Sequence, residues 1–249
     1  MNEHILTLAR ENAPCYLYEY DVMKAQVETL RQTFPQYDLL YSIKANPFPP
    51  VVRALAALGL GADAASAPEV LLSRKCGMAK EDIFFSAAGK SDAALEAAWD
   101  GGEIIADSLG EVAHIGALCR RKGQRRAIGV RMNPAFGMGG GAGTSSKFGV
   151  NEEDLPQLKA LLDDLPVTVE GIHVHLKSQN LDADVLGGCY RDSWALAKRV
   201  QAALDCEMRY VNFGSGVGVA YDAAFEQPMN LAHLRTYTCL LYTSDAADE

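Results

Sequence analysis

The stretch LLYSIKANPFPPVVRALAALGLGADAAS, residues 39–66, holds one strand–helix–strand unit. Leu39–Lys44 is a short apolar, β-prone run that Pro47 ends. Pro50–Leu58 carries apolar residues at helical spacing, and Gly61–Ser66 opens a second short run. The pattern recurs along the chain. Further strands are expected at Asp82–Ala87, Glu103–Ser108, Arg126–Asn133, Val169–Leu176 and Arg209–Gly216. Helices are expected between them at Pro68–Cys76, Asp92–Trp99, Gly110–Lys122, Glu152–Leu165 and Asp184–Leu204. Such alternation implies a parallel α/β sheet. A (β/α)8 TIM-type barrel takes about 250 residues, close to the length of this chain, and a doubly wound sheet is the alternative. Seven expected strands are one short of closure, so the reading is an incomplete barrel with two open edges.

Composition narrows the function. The 249 residues are 49% hydrophobic with a formal charge of −9, an acidic balance that argues against non-specific nucleic-acid binding. No run approaches the roughly 18 apolar residues of a membrane span, and residues 1–14 do not read as a signal peptide. The six cysteines are scattered without a CxxC pair, which fits reduced thiols in the cytoplasm better than a disulfide frame or zinc site.

Polar residues gather where the expected strands end, the face on which barrels build active sites. Lys44 follows Ser42 at a spacing of two, so alternation puts both on one face. A partly desolvated lysine there could attack an aldehyde, although a solvated strand-end lysine is the plainer reading of the residue alone. His173 and His175 share a face in GIHVHLKSQ (residues 171–179). They could bind a metal or stack on a planar ring, but no third ligand cluster lies near them in sequence and no metal is expected. NFGSGVG (residues 212–218) is small enough for backbone N–H groups to approach an anion. By itself it is a weak signal, and it is not a dinucleotide fingerprint. A second glycine run, Gly137–Gly143, reads as a flexible connector. Together, a rim lysine, a strand-end histidine and a glycine-rich loop suit a cofactor with an aldehyde, a planar ring and a phosphate, which is pyridoxal 5'-phosphate (PLP).

These motifs occur in an order that resembles the fold-type III PLP-dependent decarboxylases, the group acting on ornithine, diaminopimelate and arginine. Tyr41–Asn46 is similar to the family's Y-x-x-K-A-N motif, and Gly61–Ser66 to its G-A-D-x-x-S strand. Arg131–Pro134 and Lys147–Gly149 resemble its R-x-N-P and K-F-G elements. His173–Gln179 and Gly214–Gly218 resemble its H-x-H-x-x-S-Q and glycine-rich motifs. The diaminopimelate branch fits best. An alanine-racemase-like isomerase fits the histidine motif poorly.

The resemblance implies that Lys44 holds PLP as a Schiff base and that His175 stacks on the pyridine face. It implies that Gly214, Ser215 and Gly216 bind the phosphate through backbone N–H groups, and that Asp63 and Ser178 hydrogen-bond around the cofactor. The implied reaction converts meso-2,6-diaminopimelate to L-lysine. Ornithine, arginine or carboxynorspermidine, or a non-catalytic PLP-binding regulator, are the alternatives. A homodimer is implied for the full-length protein, with a small amino acid as substrate. Lys177 and Ser215 stand where the family usually has glycine.

Residues 13–18 resemble the first strand of the family's β-domain, so residues 1–20 are assigned to that domain and 21–238 to the barrel. The family continues beyond the matched region with an acid for the pyridine nitrogen, a phosphate loop, and a catalytic cysteine and tyrosine. The chain is therefore expected to be a C-terminally truncated, inactive fragment. Residues 239–249 match nothing in the family and resemble translated sequencing adapter, so a non-native tail is expected there.

Overall fold

A computed structural model describes residues 3–144, 146–222 and 224–243. All seven expected strands form: β1 (Leu40–Ser42), β2 (Gly61–Ala64), β3 (Ile83–Ser86), β4 (Glu103–Ala106), β5 (Arg126–Asn133), β7 (Val167–His173) and β8 (Tyr210–Asn212). A two-residue strand, β6 (Val150–Asn151), adds to β5 off the main path. The main sheet runs β1-β2-β3-β4-β5-β7-β8 with every pairing parallel. Among the described residues β1 and β8 pair on one side only, so the sheet is a partial barrel. Helices connect the strands: α3 (Pro49–Ala57), α4 (Ala67–Lys75), α5 (Asp92–Ala98), α6 (Leu109–Lys122), α7 (Leu155–Asp164) and α8 (Ala183–Leu204). Ser66, Ser91 and Ser108 cap α4, α5 and α6 by accepting from backbone N–H groups in the first turn.

Strand periodicity sorts side chains onto two faces. Ile83, Phe85, Ile104, Ile128, Val130 and Ile172 point outward under the helices and are almost completely buried. Each such side chain contributes about 2 kcal/mol by leaving water. The inward face is polar at the strand C-termini and filled by an aromatic ring at the opposite end. Tyr210 lies across Gly129 and Gly171, where a Cβ would fall 2.3 Å from its hydroxyl and 2.2 Å from its ring carbon Cζ, respectively. The ring also meets Phe84 edge-on at 5.1 Å. A register shift between Ile128 and Gly129 keeps β5 and β7 paired around this plug.

Three features depart from the sequence reading. Residues 13–18 form no strand, since they lie outside every ladder and Tyr16 is 89% exposed. A strand needs a neighbour to take its backbone hydrogen bonds, and among the described residues these have none. Helices that the sequence reading did not anticipate form at α1 (Glu3–Asn12), α2 (Tyr20–Thr33) and α9 (Leu231–Thr243). The last of these runs through Cys239–Thr243, the start of the segment expected to be foreign, while residues 244–249 lie outside the described residues. Finally, Ile43–Ala45 is a 3-10 turn, so Lys44 is not presented by strand alternation.

Candidate active site

The C-terminal ends of the strands carry Ser42, Asp63, Ser86, Asp107, Arg131 and His173, each two residues beyond an inward residue of its own strand; Ser42 is level with Asp63 and Arg131 with His173, while Asp63 is level with Phe84 and Ser86 with Ile105. Ser42 donates to Asp63 Oδ2 at 3.1 Å. Ser86 Oγ lies 3.3 Å from His173 Nδ1, and Arg131 pairs with Asp107 at 3.3 Å while stacking 4.9 Å over Phe148. Burial pushes the Asp63 carboxyl up, against the pull of the Ser42 hydroxyl and of Lys44 and His175. Its Oδ1 is buried with no hydrogen-bond partner among the described residues, an unused acceptor in the floor of the site. Burial, reinforced by Arg131 and His175, holds His173 down to about 3, so it is a neutral ring.

His175 sits one strand step above His173, their centroids 6.4 Å apart. It is half-buried, with Nδ1 3.0 Å from the Gly214 carbonyl and Nε2 3.2 Å from the Ser178 hydroxyl. A carbonyl only accepts, so Nδ1 carries hydrogen. The ring is thereby fixed against the glycine loop. Gly214, Ser215 and Gly216 have φ of +63°, +54° and +88°. These positive φ values turn the backbone sharply after β8, a turn setting in which successive backbone N–H groups are available to an anion. Glycine is required at both ends. A Cβ on Gly214 would fall 2.4 Å from the Val174 carbonyl, and one on Gly216 2.7 Å from the Lys177 carbonyl. The Gly214 N–H already donates to Asn212 Oδ1 at 2.9 Å. Among the described residues, the N–H groups of Ser215 and Gly216 remain the open donors.

The structure therefore groups His175, Ser178 and Gly214–Gly216 by contact. Asp63 and Lys44 join them in that Lys44 and His175 both act on the Asp63 carboxyl. Lys44 is exposed, so the desolvation expected for it is not supplied by this chain, which leaves its inner edge open. Lys90, also near the rim, is buried in a 2.5 Å pair with Glu111 and donates to the Ala87 and Ile105 carbonyls, which removes it as an accessible amine. Lys177 is exposed beside the loop. The second glycine run folds back on itself through Gly137 N–H to Gly141 O and Gly143 N–H to Ala135 O, both 2.7 Å.

Sequence reasoning passed over Asp107, Asn212 and Tyr190. Period-two counting from Glu103 and Ile105 would have found Asp107. Nothing in the sequence marks Tyr190, a mid-helix aromatic that reads as ordinary core.

An exposed amine, a half-buried imidazole and two N–H groups without a partner among the described residues fit a phosphorylated aromatic aldehyde. A family model described as "Pyridoxal-dependent decarboxylase, pyridoxal binding domain" matches residues 20–239. The chain belongs to that family, and its cofactor is pyridoxal phosphate. It is 30% identical over 247 residues to the L-glutamyl-[BtrI acyl-carrier protein] decarboxylase of Niallia circulans, covering 96% of this chain and 57% of that one. It is 29% identical to the diaminopimelate decarboxylase of Aquifex aeolicus, covering 86% and 53%. The fold matches the crystal structure of Helicobacter pylori diaminopimelate decarboxylase complexed with L-lysine, with a TM-score of 0.85, 24% identity, and coverage of 97% and 63%. The chain thus spans little more than half the length of these curated relatives. No helix among the described residues is long and apolar enough to cross a membrane.

Proposed function

We propose that the whole protein is a PLP-dependent amino-acid decarboxylase acting on meso-2,6-diaminopimelate to give L-lysine. The observation that carries this reading is the convergence of Lys44, His175 and the Gly214–Gly216 loop at one mouth of the barrel, in a chain of the pyridoxal-binding family. Lys44 would hold the cofactor aldehyde, and His175, fixed by the Gly214 carbonyl, would hold the ring. The N–H groups of Ser215 and Gly216 take the phosphate. Ser178 and Asp63 orient polar groups around it. PLP held there would supply an electron-withdrawing ring able to delocalise negative charge. The proposal includes a cytoplasmic homodimer, with residues 1–20 belonging to a β-domain and residues 239–249 foreign to the protein.

A second reading rests on the Niallia circulans relative, whose name describes a glutamyl group carried on a protein. It places a carrier-bound amino acid at the same site. The test is CO2 release by the full-length gene product offered meso-diaminopimelate, ornithine, arginine, carboxynorspermidine or a glutamyl carrier-protein thioester. Release from diaminopimelate alone is expected. Release only from the thioester would replace the first reading, and release from none would favour a regulator. Lys44→Ala is expected to abolish the long-wavelength absorbance of bound PLP. Retention of that band would remove Lys44 from its role.

A further inference from the structure

Tyr190 on α8 is a core residue by burial, with 7% exposure, yet its hydroxyl is spent on the loop. It donates to the Ser215 carbonyl at 2.7 Å across 25 residues of sequence. Its ring packs on Phe213 at 5.0 Å, just before the three left-handed residues. Burial pushes the Tyr190 hydroxyl up, which keeps it a donor.

The Ser215 carbonyl and the Gly216 N–H belong to one peptide plane, and a trans peptide aims them in opposite directions. Holding the carbonyl against α8 therefore turns the Gly216 N–H away from α8. The same bond polarises the peptide and strengthens that N–H as a donor. Ser215 needs such a hold. A non-glycine residue in the left-handed region costs about 1–2 kcal/mol and persists only when its surroundings enforce it. The neighbouring links lie elsewhere: Asn212 takes the Gly214 N–H, Asn180 N–H donates to the Gly216 carbonyl at 2.9 Å, and the Val217 N–H reaches Ser215 Oγ at 3.3 Å. Among the described residues, Tyr190 alone holds the Ser215 carbonyl.

We propose that Tyr190 is a positioning residue for the phosphate site, setting the Ser215–Gly216 peptide so that the Gly216 N–H faces a bound phosphate. The inference rests on the proposed reading of Gly214–Gly216 as the phosphate loop. It assigns part of the affinity for phosphorylated over unphosphorylated pyridoxal to a hydroxyl that touches neither.

The test titrates the 249-residue chain and its Tyr190→Phe variant with PLP and with pyridoxal, following bound-cofactor absorbance. Wild type is expected to prefer PLP. Tyr190→Phe should lose about tenfold of that preference, the loss of one charge-assisted hydrogen bond from the Gly216 N–H to the phosphate, with pyridoxal affinity retained. An unchanged preference, or equal losses for both ligands, would overturn the positioning role. Wild type binding the two equally, or neither, would instead defeat the phosphate-loop reading and this inference with it. A second measurement does not depend on the variant folding. In amide NMR of the wild-type chain titrated with inorganic phosphate, the Gly216 resonance is expected to shift, and a silent Gly216 amide beside shifting neighbours would refute the proposal.

Discussion

Lys44 and Glu103 mark opposite mouths of the same sheet, and each is set by its surroundings more than by its type. Lys44 leaves β1 in a 3-10 turn and stands exposed, whereas His175 is fixed by a carbonyl 39 residues away. Glu103, at the far end from the site, is raised to about 7 by burial and then by Glu170, against the pull of Arg126. A carboxyl raised in the folded state contributes stability below its ordinary value of 4.5, and that contribution is lost as pH rises through about 7. Glu103→Gln removes this dependence while keeping an acceptor for Tyr210. It is expected to be more stable than wild type at about pH 8 by on the order of 2 kcal/mol, after allowance for solvent screening, and near parity at about pH 5. Urea midpoints at the two pH values check it, and parallel shifts at both would sink the argument. At this scale residue type and strand-end position drew attention to Lys44 and His175, whereas Asp63 was picked out only by the resemblance of Gly61–Ser66 to a family motif. The sequence could not reveal that the Gly214 N–H is already taken by Asn212.

Elements were read best where their apolar residues face one uniform layer. The outward sides of β3, β4, β5 and β7 are continuous apolar rows, and all four strands were found within a few residues of their ends. Helix α2 was missed for the converse reason. It buries only Val27, with Val22 53% exposed, so its stripe is too thin to register as a pattern. The strand reading also did not foresee why β5 and β7 carry glycine. Tyr210 fills the space over Gly129 and Gly171. Gly171→Ala is therefore expected to cost about 1–3 kcal/mol through overpacking against that ring, measured by chemical unfolding. No loss of stability would show that Tyr210 moves aside freely.

Among the described residues, the unpaired outer sides of β1 and β8 leave the sheet open on one flank, and Lys44 and Ser178 are exposed. An open flank admits water and weakens every electrostatic interaction made there. On the decarboxylase reading proposed above, the 249-residue chain would release CO2 at least about a hundredfold more slowly than a protein of its relatives' full length, a difference of roughly 2.7 kcal/mol in barrier. Equal rates would refute this. Residues 13–18 show the same dependence on context, since without a neighbouring strand they stay outside every ladder. The sequence by itself determined the alternation of strands and helices, the parallel sheet, and the lysine, histidine and glycine motifs that define the family. These rest on local periodicity and residue type. Only the tertiary structure decided which N–H groups stay open, that Tyr190 reaches the Ser215 carbonyl, that His173 is neutral, and that Lys44 is solvated. Each of these depends on distance and burial between segments far apart in the chain, which residue spacing does not encode.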